Sequence, residues 1–413
     1  ATGTAGAQAI TMAFAPLITR IYGPEAFGLL GAFTALVEVV IPLAALAYPI
    51  AIVLPRDDRD ALGLARLSAF LSLGVALLAD VTLWVGGEWL VAVFDAEYMV
   101  DLLLLIPLAM LFAAWMQIVQ QWLIRKKEYG VIARSAIAQS LILNTAKAGI
   151  GWLYPAASAL IVITTLGHAL HAALLFIGAR RRNQSRANGL RKGSATSLAQ
   201  LARCHRDFPL YRAPQNFINA ASQSLPVLML AAFFGPAAAG FYTLGRMVMG
   251  VPSTLVGKAV NDVFYPRITE AAHNGENLAS HIVRATGALF AVGIVPFGLV
   301  VLFGPWLFSF VFGPEWATAG GYARWLSLFF LFNFVNKPCV AAVPVLGIQR
   351  GLLVYELFST GGKVVGLAVG FYWFDSDVWA VALFSLIGVV AYSAMMFWIL
   401  SNALRWRADA KTS

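Results

Sequence analysis

Charge is what this chain has least of. Of its 413 residues only 12% are Asp, Glu, Lys or Arg, and 60% are hydrophobic. Soluble domains average about 25% charged and roughly 45–50% apolar residues, so a water-soluble globule is excluded. Cysteine is nearly absent too. Cys204 and Cys339 are the only two, one expected in a cytoplasmic loop and one inside an apolar run, which rules out a disulfide framework. There is no Walker A sequence, so no ATP-driven pump is written here, and no HExxH, so no zinc hydrolase of that type. No cofactor and no metal site is expected. Short alternating segments of the outer-membrane-barrel kind are missing as well. The chain opens at Ala1 without methionine, and no charged n-region or small-residue cleavage site follows. The expectation is a trimmed N-terminus rather than a secretory signal.

Long apolar runs are what the sequence does have. A helix needs about 20 apolar residues to cross roughly 30 Å of hydrocarbon, and such runs recur along the whole chain. They predict an all-α polytopic membrane protein with about twelve transmembrane helices. The spans fall near 4–20, 28–53, 66–86, 100–124, 132–153, 157–179, 213–234, 240–261, 285–311, 321–345, 352–374 and 378–403. Basic residues set the orientation. Most Lys and Arg collect in 54–65, 125–131, 180–212, 262–284, 346–351 and the C-terminal tail, while the opposite loops carry Arg20 and acids such as Glu25, Glu88, Glu97, Glu315 and Asp375. The positive-inside rule then places both termini in the cytoplasm. The net charge of +9 belongs to loops facing anionic headgroups, so membrane lipids and not nucleic acid are the expected partners of the basic run "ARRRNQSRANGLRK".

Two short motifs are written twice. "YGPEAFG" (Tyr22–Gly28) and "FGPAAAG" (Phe234–Gly240) share Gly-Pro and a closing glycine in one register; "VFDAEY" (Val93–Tyr98) and "VFGPEW" (Val311–Trp316) form a second pair. Both pairs sit on the outer side, in matching order. The polar segment 180–212 separates six spans from six and reads as a basic cytoplasmic linker carrying a short surface helix near Leu198–Cys204. The expected domains are therefore a six-helix lobe at 1–179, the linker at 180–212, and a second six-helix lobe with the tail at 213–413. An even number of spans makes the halves parallel repeats.

Ionisable groups inside spans are costly and face a bundle interior or wet cavity. Lys147, Arg246, Arg324, Lys337 and Lys363 are the candidate substrate-binding residues, and their excess of positive charge suits an anion. Arg324 and Lys337 could instead snorkel to the interfaces. Lys258 and Asp262 stand four apart, the spacing of a structural or gating pair. Glu38 lies four residues before Pro42, where it could bind a proton or sodium ion or simply pair with a cation. His168 and His171 share a helical face but are too few for a metal. Glutamines 117, 120 and 121 with Asn216 and Gln223 offer donors and acceptors for sugar hydroxyls.

"ITRIYGPEAFGLLGAF", "QWLIRKKEYGVIARSAIAQSL", "GFYTLGRMVMGVPSTLVGKAVNDVFYPRITEA" and "VFGPEWATAGGYARWLSLFF" together resemble the polysaccharide transporter family, the Wzx-type O-antigen and exopolysaccharide flippases. These belong to the multidrug/oligosaccharidyl-lipid/polysaccharide exporter superfamily. The resemblance runs over nearly the whole chain. It implies a V-shaped, two-lobed transporter whose central cationic cavity is exposed alternately to the two faces of the bacterial inner membrane. It also implies a polyprenyl-diphosphate-linked oligosaccharide as substrate, moved from the cytoplasmic to the periplasmic leaflet, with other polysaccharide-assembly membrane proteins as candidate partners. Two alternatives stay open within transport, a peptidoglycan-precursor flippase and a multidrug exporter. A membrane-embedded polysaccharide polymerase or acyltransferase is the alternative from another class.

Overall fold

The computed structural model describes residues 2–94, 103–183 and 197–412; for a few residues inside the helices, Lys258 and Asp262 among them, only the backbone path is described. The described residues form α-helices joined by short turns, with no strand among them. In chain order the first seven helices are α1 (Thr2–Ala44), α2 (Tyr48–Ala51), α3 (Asp58–Phe94), α4 (Leu105–Arg125), α5 (Tyr129–Leu153), α6 (Ala157–Asn183) and α7 (Leu198–Cys204). After a π turn at Phe208–Arg212 come α8 (Ala213–Phe234), α9 (Pro236–His273), α10 (Leu278–Phe312) and a 3-10 turn at Pro314–Trp316. The chain ends with α11 (Ala317–Val335), α12 (Lys337–Leu346), α13 (Gln349–Tyr372) and α14 (Asp377–Thr412).

Two compact units emerge, residues 2–239 and 240–413. In the first, α1 packs on α5 and α8, α4 on α6, and α5 on α6. Its lower core is small: Tyr48, Ala51, Ile52, Ala61, Leu64, Ile118 and Leu201 are buried together. Leu201 belongs to α7, the surface helix expected within the linker, and the Tyr48 hydroxyl donates to the Ala202 carbonyl at 3.1 Å. Residues 184–196 of that linker lie outside the described residues, as do Asp95–Tyr98 of the "VFDAEY" motif. In the second unit α10 packs on α11, α13 on α14, and α14 on both α11 and α12. Ile268, Leu278, Ile282, Cys339, Val343 and Ile399 close one end of it.

Eight stretches among the described residues are long and apolar enough to cross a membrane, and the molecule is a multi-pass membrane protein. The difference from twelve has physical causes. The run at 4–20 and the run at 28–53 as far as Ala44 are carried by one helix, α1, broken only at Gly23. The long helices α5 and α9 fall outside the eight because their polar and charged residues lower their hydropathy, and some side chains of α13 lie outside the described residues.

Breaks inside the expected spans follow the prolines. The run at 28–53 does not continue as one helix: α1 stops at Ala44, Leu46 and Ala47 take left-handed backbone (φ 49° and 59°), and α2 restarts with Pro49 in its first turn. Proline cannot donate to a preceding turn, and Pro42 and Pro49 together remove two helix bonds there. Likewise 321–345 is divided at Asn336, just before Pro338.

The Gly-Pro turns share one conformation. Gly23 has φ 68°, ψ 174° and Gly235 has φ 85°, ψ 176°; Gly313, before Pro314, has φ 122°, ψ 159°. This region is open to glycine and essentially closed to other residues. A Cβ at Gly23 or Gly235 would meet no neighbour within 4 Å, so backbone angle and not space requires glycine there. The closing glycines, Gly28 and Gly240, are buried in helix.

Candidate functional site

Three of the expected substrate-binding cations stand within three different long helices: Lys147 on α5, Arg246 on α9 and Lys363 on α13. A span that lowers its own hydropathy with a cation needs that cation for something other than insertion.

Lys147 is half-buried within the first unit. A polar seam runs up to it along the α1–α5 contact. Ser140 Oγ donates to the Ala7 carbonyl at 2.9 Å and lies 3.0 Å from Thr11 Oγ1. One turn on, Asn144 Nδ2 donates to the Ser140 carbonyl at 2.7 Å and to Thr11 Oγ1 at 3.3 Å. The Tyr22 hydroxyl then donates to the carbonyl of Lys147 itself at 2.9 Å. Gly151 makes this contact possible, since a Cβ there would come within 2.6 Å of the Tyr22 ring. Asn144 and Gly151 of the expected shared face are thus turned toward α1, which Lys147 meets through its backbone carbonyl.

Lys363 is held differently. Its Nζ stands 5.9 Å over the Phe329 ring. Phe329 in turn packs against Tyr392 (centroids 5.5 Å), Phe384 (5.4 Å) and Phe330 (5.3 Å). Asn333 Nδ2 donates to the Tyr392 hydroxyl at 2.6 Å. Glu356, two turns before Lys363 on α13, acts electrostatically on it, and its place seven residues before Lys363 puts both on one helical face.

The other candidates scatter. Arg246 is half-buried on α9, its charge acting on Tyr242 one turn before it, and Gly245 brings α9 close enough to α11 that a Cβ would stand 3.1 Å from Leu326. Lys337 lays its aliphatic stem over Gly257 of α9. Arg324 is exposed and donates to the Leu302 carbonyl of α10 at 3.0 Å, a clasp joining two helices. Glu38 is exposed on α1. The side chains of Lys258 and Asp262 lie outside the described residues.

Sequence reasoning also missed a clamp on the face assigned to the cytoplasm. Arg125 at the end of α4 bonds Asp58 Oδ1 at 3.0 Å and reaches the carbonyls of Val53 (3.3 Å), Pro55 and Arg56 (3.3 Å). Lys126 takes the other carboxylate oxygen of Asp58. A guanidinium with five donors in a fixed fork suits this task. The signal was the pairing of "PRDDRD" with "RKKE" across the first unit.

Residues 17–321 match the family described as polysaccharide biosynthesis protein. The chain belongs to that family. It is 24% identical over 416 residues to the succinoglycan biosynthesis transport protein ExoT of Rhizobium meliloti (strain 1021), covering 96% of this chain and 78% of that one. Among solved structures it resembles an inward-facing multidrug resistance MATE family transporter of the MOP superfamily, with a TM-score of 0.72 at 15% identity over 98% of this chain and 96% of that one. It resembles the lipid II flippase MurJ equally, with a TM-score of 0.72 at 12% identity over 98% and 89%. At these identities the structural likeness establishes the fold alone, one shared with both of those structures.

Proposed function

We propose that this member of the polysaccharide biosynthesis family is a flippase. It carries a polyprenyl-diphosphate-linked oligosaccharide repeat unit from the cytoplasmic to the periplasmic leaflet of the bacterial inner membrane, for O-antigen or exopolysaccharide assembly. In this reading the molecule is a secondary-type transporter and not an enzyme. Its termini are cytoplasmic, and it has twelve crossings in two six-helix repeats, α1 counting twice at Gly23 and α5, α9 and α13 crossing as well.

The observation that carries the reading is the placement of Lys147, Arg246 and Lys363, each half-buried, within three long helices of an otherwise charge-poor chain. A diphosphate entering hydrocarbon unpaired would cost on the order of tens of kcal/mol. Cations held partly out of water remove most of that barrier, and alternating exposure to the two faces completes the transfer. The family match and the transport-protein relative support the same class of cargo.

Complementation tests it. In a strain lacking its own repeat-unit flippase, the protein should restore surface polysaccharide. Failure to do so, with normal membrane levels and with growth restored instead to a strain depleted of its peptidoglycan-precursor flippase, would transfer the assignment to that substrate. Restored drug resistance alone would mark a multidrug exporter. Turnover of a sugar or acyl donor by the purified protein would revive the enzyme alternative.

A further inference from the structure

α6 carries two histidines, His168 and His171, that the transport reading leaves idle. Three residues apart, they lie on one face of the helix. Both are half-buried. α6 packs closely on α5 at this level: a methyl at Gly167 would come within 2.8 Å of Leu143. Lys147 stands one turn beyond Leu143 on α5, and the charges acting on His168 are those of His171 and Lys147. Two helices thus bring three basic side chains into one electrostatic neighbourhood.

A buried histidine held only for packing normally finds an acceptor for its N–H. Here His171 Nε2 is buried with no hydrogen-bond partner among the described residues. The remaining ionisable groups on the helices packed against α6 are Arg20, Tyr22, Glu25 and Glu38 on α1, Arg125 on α4, and Tyr129 and Arg134 on α5. None of them is among the charges acting on His168. Tyr22 is spent on the Lys147 carbonyl and Arg125 on Asp58. Of Arg180, on α6 itself, the guanidinium lies 6.0 Å from the Phe176 ring.

We propose that Lys147, His168 and His171 form one phosphate-anion site within the first unit, in which the imidazoles add charge as the pH falls. The site rests on the flippase reading for its natural occupant, the diphosphate of the substrate. Each imidazole that takes up a proton becomes a second N–H donor and a positive charge, so the bound anion and the protons stabilise each other. The sign follows directly: affinity is highest below the imidazole range and falls as pH rises through it.

The test is binding, separate from transport. Purified protein in nanodiscs of zwitterionic lipid is titrated calorimetrically with inorganic pyrophosphate at about pH 5.5 and about pH 7.5, either side of the imidazole range. Pyrophosphate itself protonates in this window, so wild type is compared at each pH with the His168→Gln/His171→Gln double variant. Wild type should bind about tenfold tighter than the double variant at the lower pH, a coupling of ordinary size, and the two should converge at the higher pH. Lys147→Met should weaken binding at both. Repeating the titration in nanodiscs with anionic phospholipid separates the sources: unchanged binding marks the diphosphate as occupant, and competitive loss marks a phospholipid headgroup at the same site. Equal affinity of wild type and double variant at both pH values, with both folded by thermal melt, overturns the proposal. Because no transport is read, failed complementation with intact binding would sink the flippase reading and leave the site standing.

Discussion

The first unit sets its half-buried lysine at the end of a seam of hydroxyls and an amide that reaches the lysine's backbone carbonyl; the second sets its own over a ring. Lys147 ends the seam of Thr11, Ser140 and Asn144, while Lys363 stands over Phe329 amid Tyr392, Phe384 and Phe330. The two settings place a cation by different means. The seam fastens the backbone that carries Lys147 to α1 through the Tyr22 hydroxyl, and leaves the ammonium itself to act on His168 of α6. An aromatic face attracts the cation through its quadrupole, contributing about 0.5–2 kcal/mol, and does so only in a fixed geometry. The difference teaches that one charge type can be placed in two ways: in the first unit by fixing the backbone that carries it, in the second by a ring under the charge itself.

The largest expected effect breaks the comparison outright. Lys147→Ala and Lys363→Ala should each lower polysaccharide export by about 10- to 100-fold, the range of a lost hydrogen bond to a charged group, with membrane levels unchanged. Arg246→Ala should behave alike. Normal export by one lysine variant would mean that only one unit grips the substrate.

Next come the turns the two glycines make. Gly23→Ala and Gly235→Ala should each destabilise by about 1–3 kcal/mol, because alanine is forced into a glycine-only backbone region. Thermal melts in detergent measure this, and equal losses would show that the turns carry equal strain. A Gly28→Ala change, in helical backbone, should not show this backbone penalty.

Phe329→Leu sharpens the contrast of environments. It keeps bulk but loses the ring, so substrate affinity should fall by about two- to fivefold. Asn144→Leu, by contrast, should be felt chiefly as lost stability, since it strips Thr11 of the Asn144 amide donor.

The smallest effect lies in the turn between α9 and α10. Hydrogen bonds from the Arg267 guanidinium (2.9 Å) and then His281 (2.7 Å) hold the Glu276 carboxyl down to about 2. A carboxyl depressed on folding contributes stability that is present above its ordinary range and lost as pH falls toward that value. The stability difference between wild type and Glu276→Gln should therefore be flat above about pH 5 and shrink toward pH 2. A difference that grows on acidification would reverse the assignment.

Much of this was legible because it rests on local chemistry. Gly-Pro written at 23–24 and 235–236 specifies a backbone region that only glycine enters, so two matching strings became two matching turns. Leu198–Cys204 was readable as a surface helix because Ser197 caps it, accepting from the Gln200 amide. The break after Ala44 was not, since nothing local to Leu46 and Ala47 announces left-handed backbone. The rings around Lys363 come from three separate stretches, 329–330, 384 and 392, and apolar aromatics inside apolar spans carry no periodic signal. Glu356 was hidden by its place near the end of a span, where an acid reads as interface.

The flippase assignment is tested most directly by flipping itself. Protein is reconstituted in vesicles holding a polyprenyl-diphosphate oligosaccharide and, separately, an uncharged polyprenyl glycan, and transfer is read by lectin capture at the outer leaflet. The account predicts transfer of the diphosphate lipid by wild type, little transfer of the uncharged one, and loss of transfer in Lys363→Ala and Arg246→Ala. Equal movement of both lipids, or undiminished movement by both variants, would contradict it.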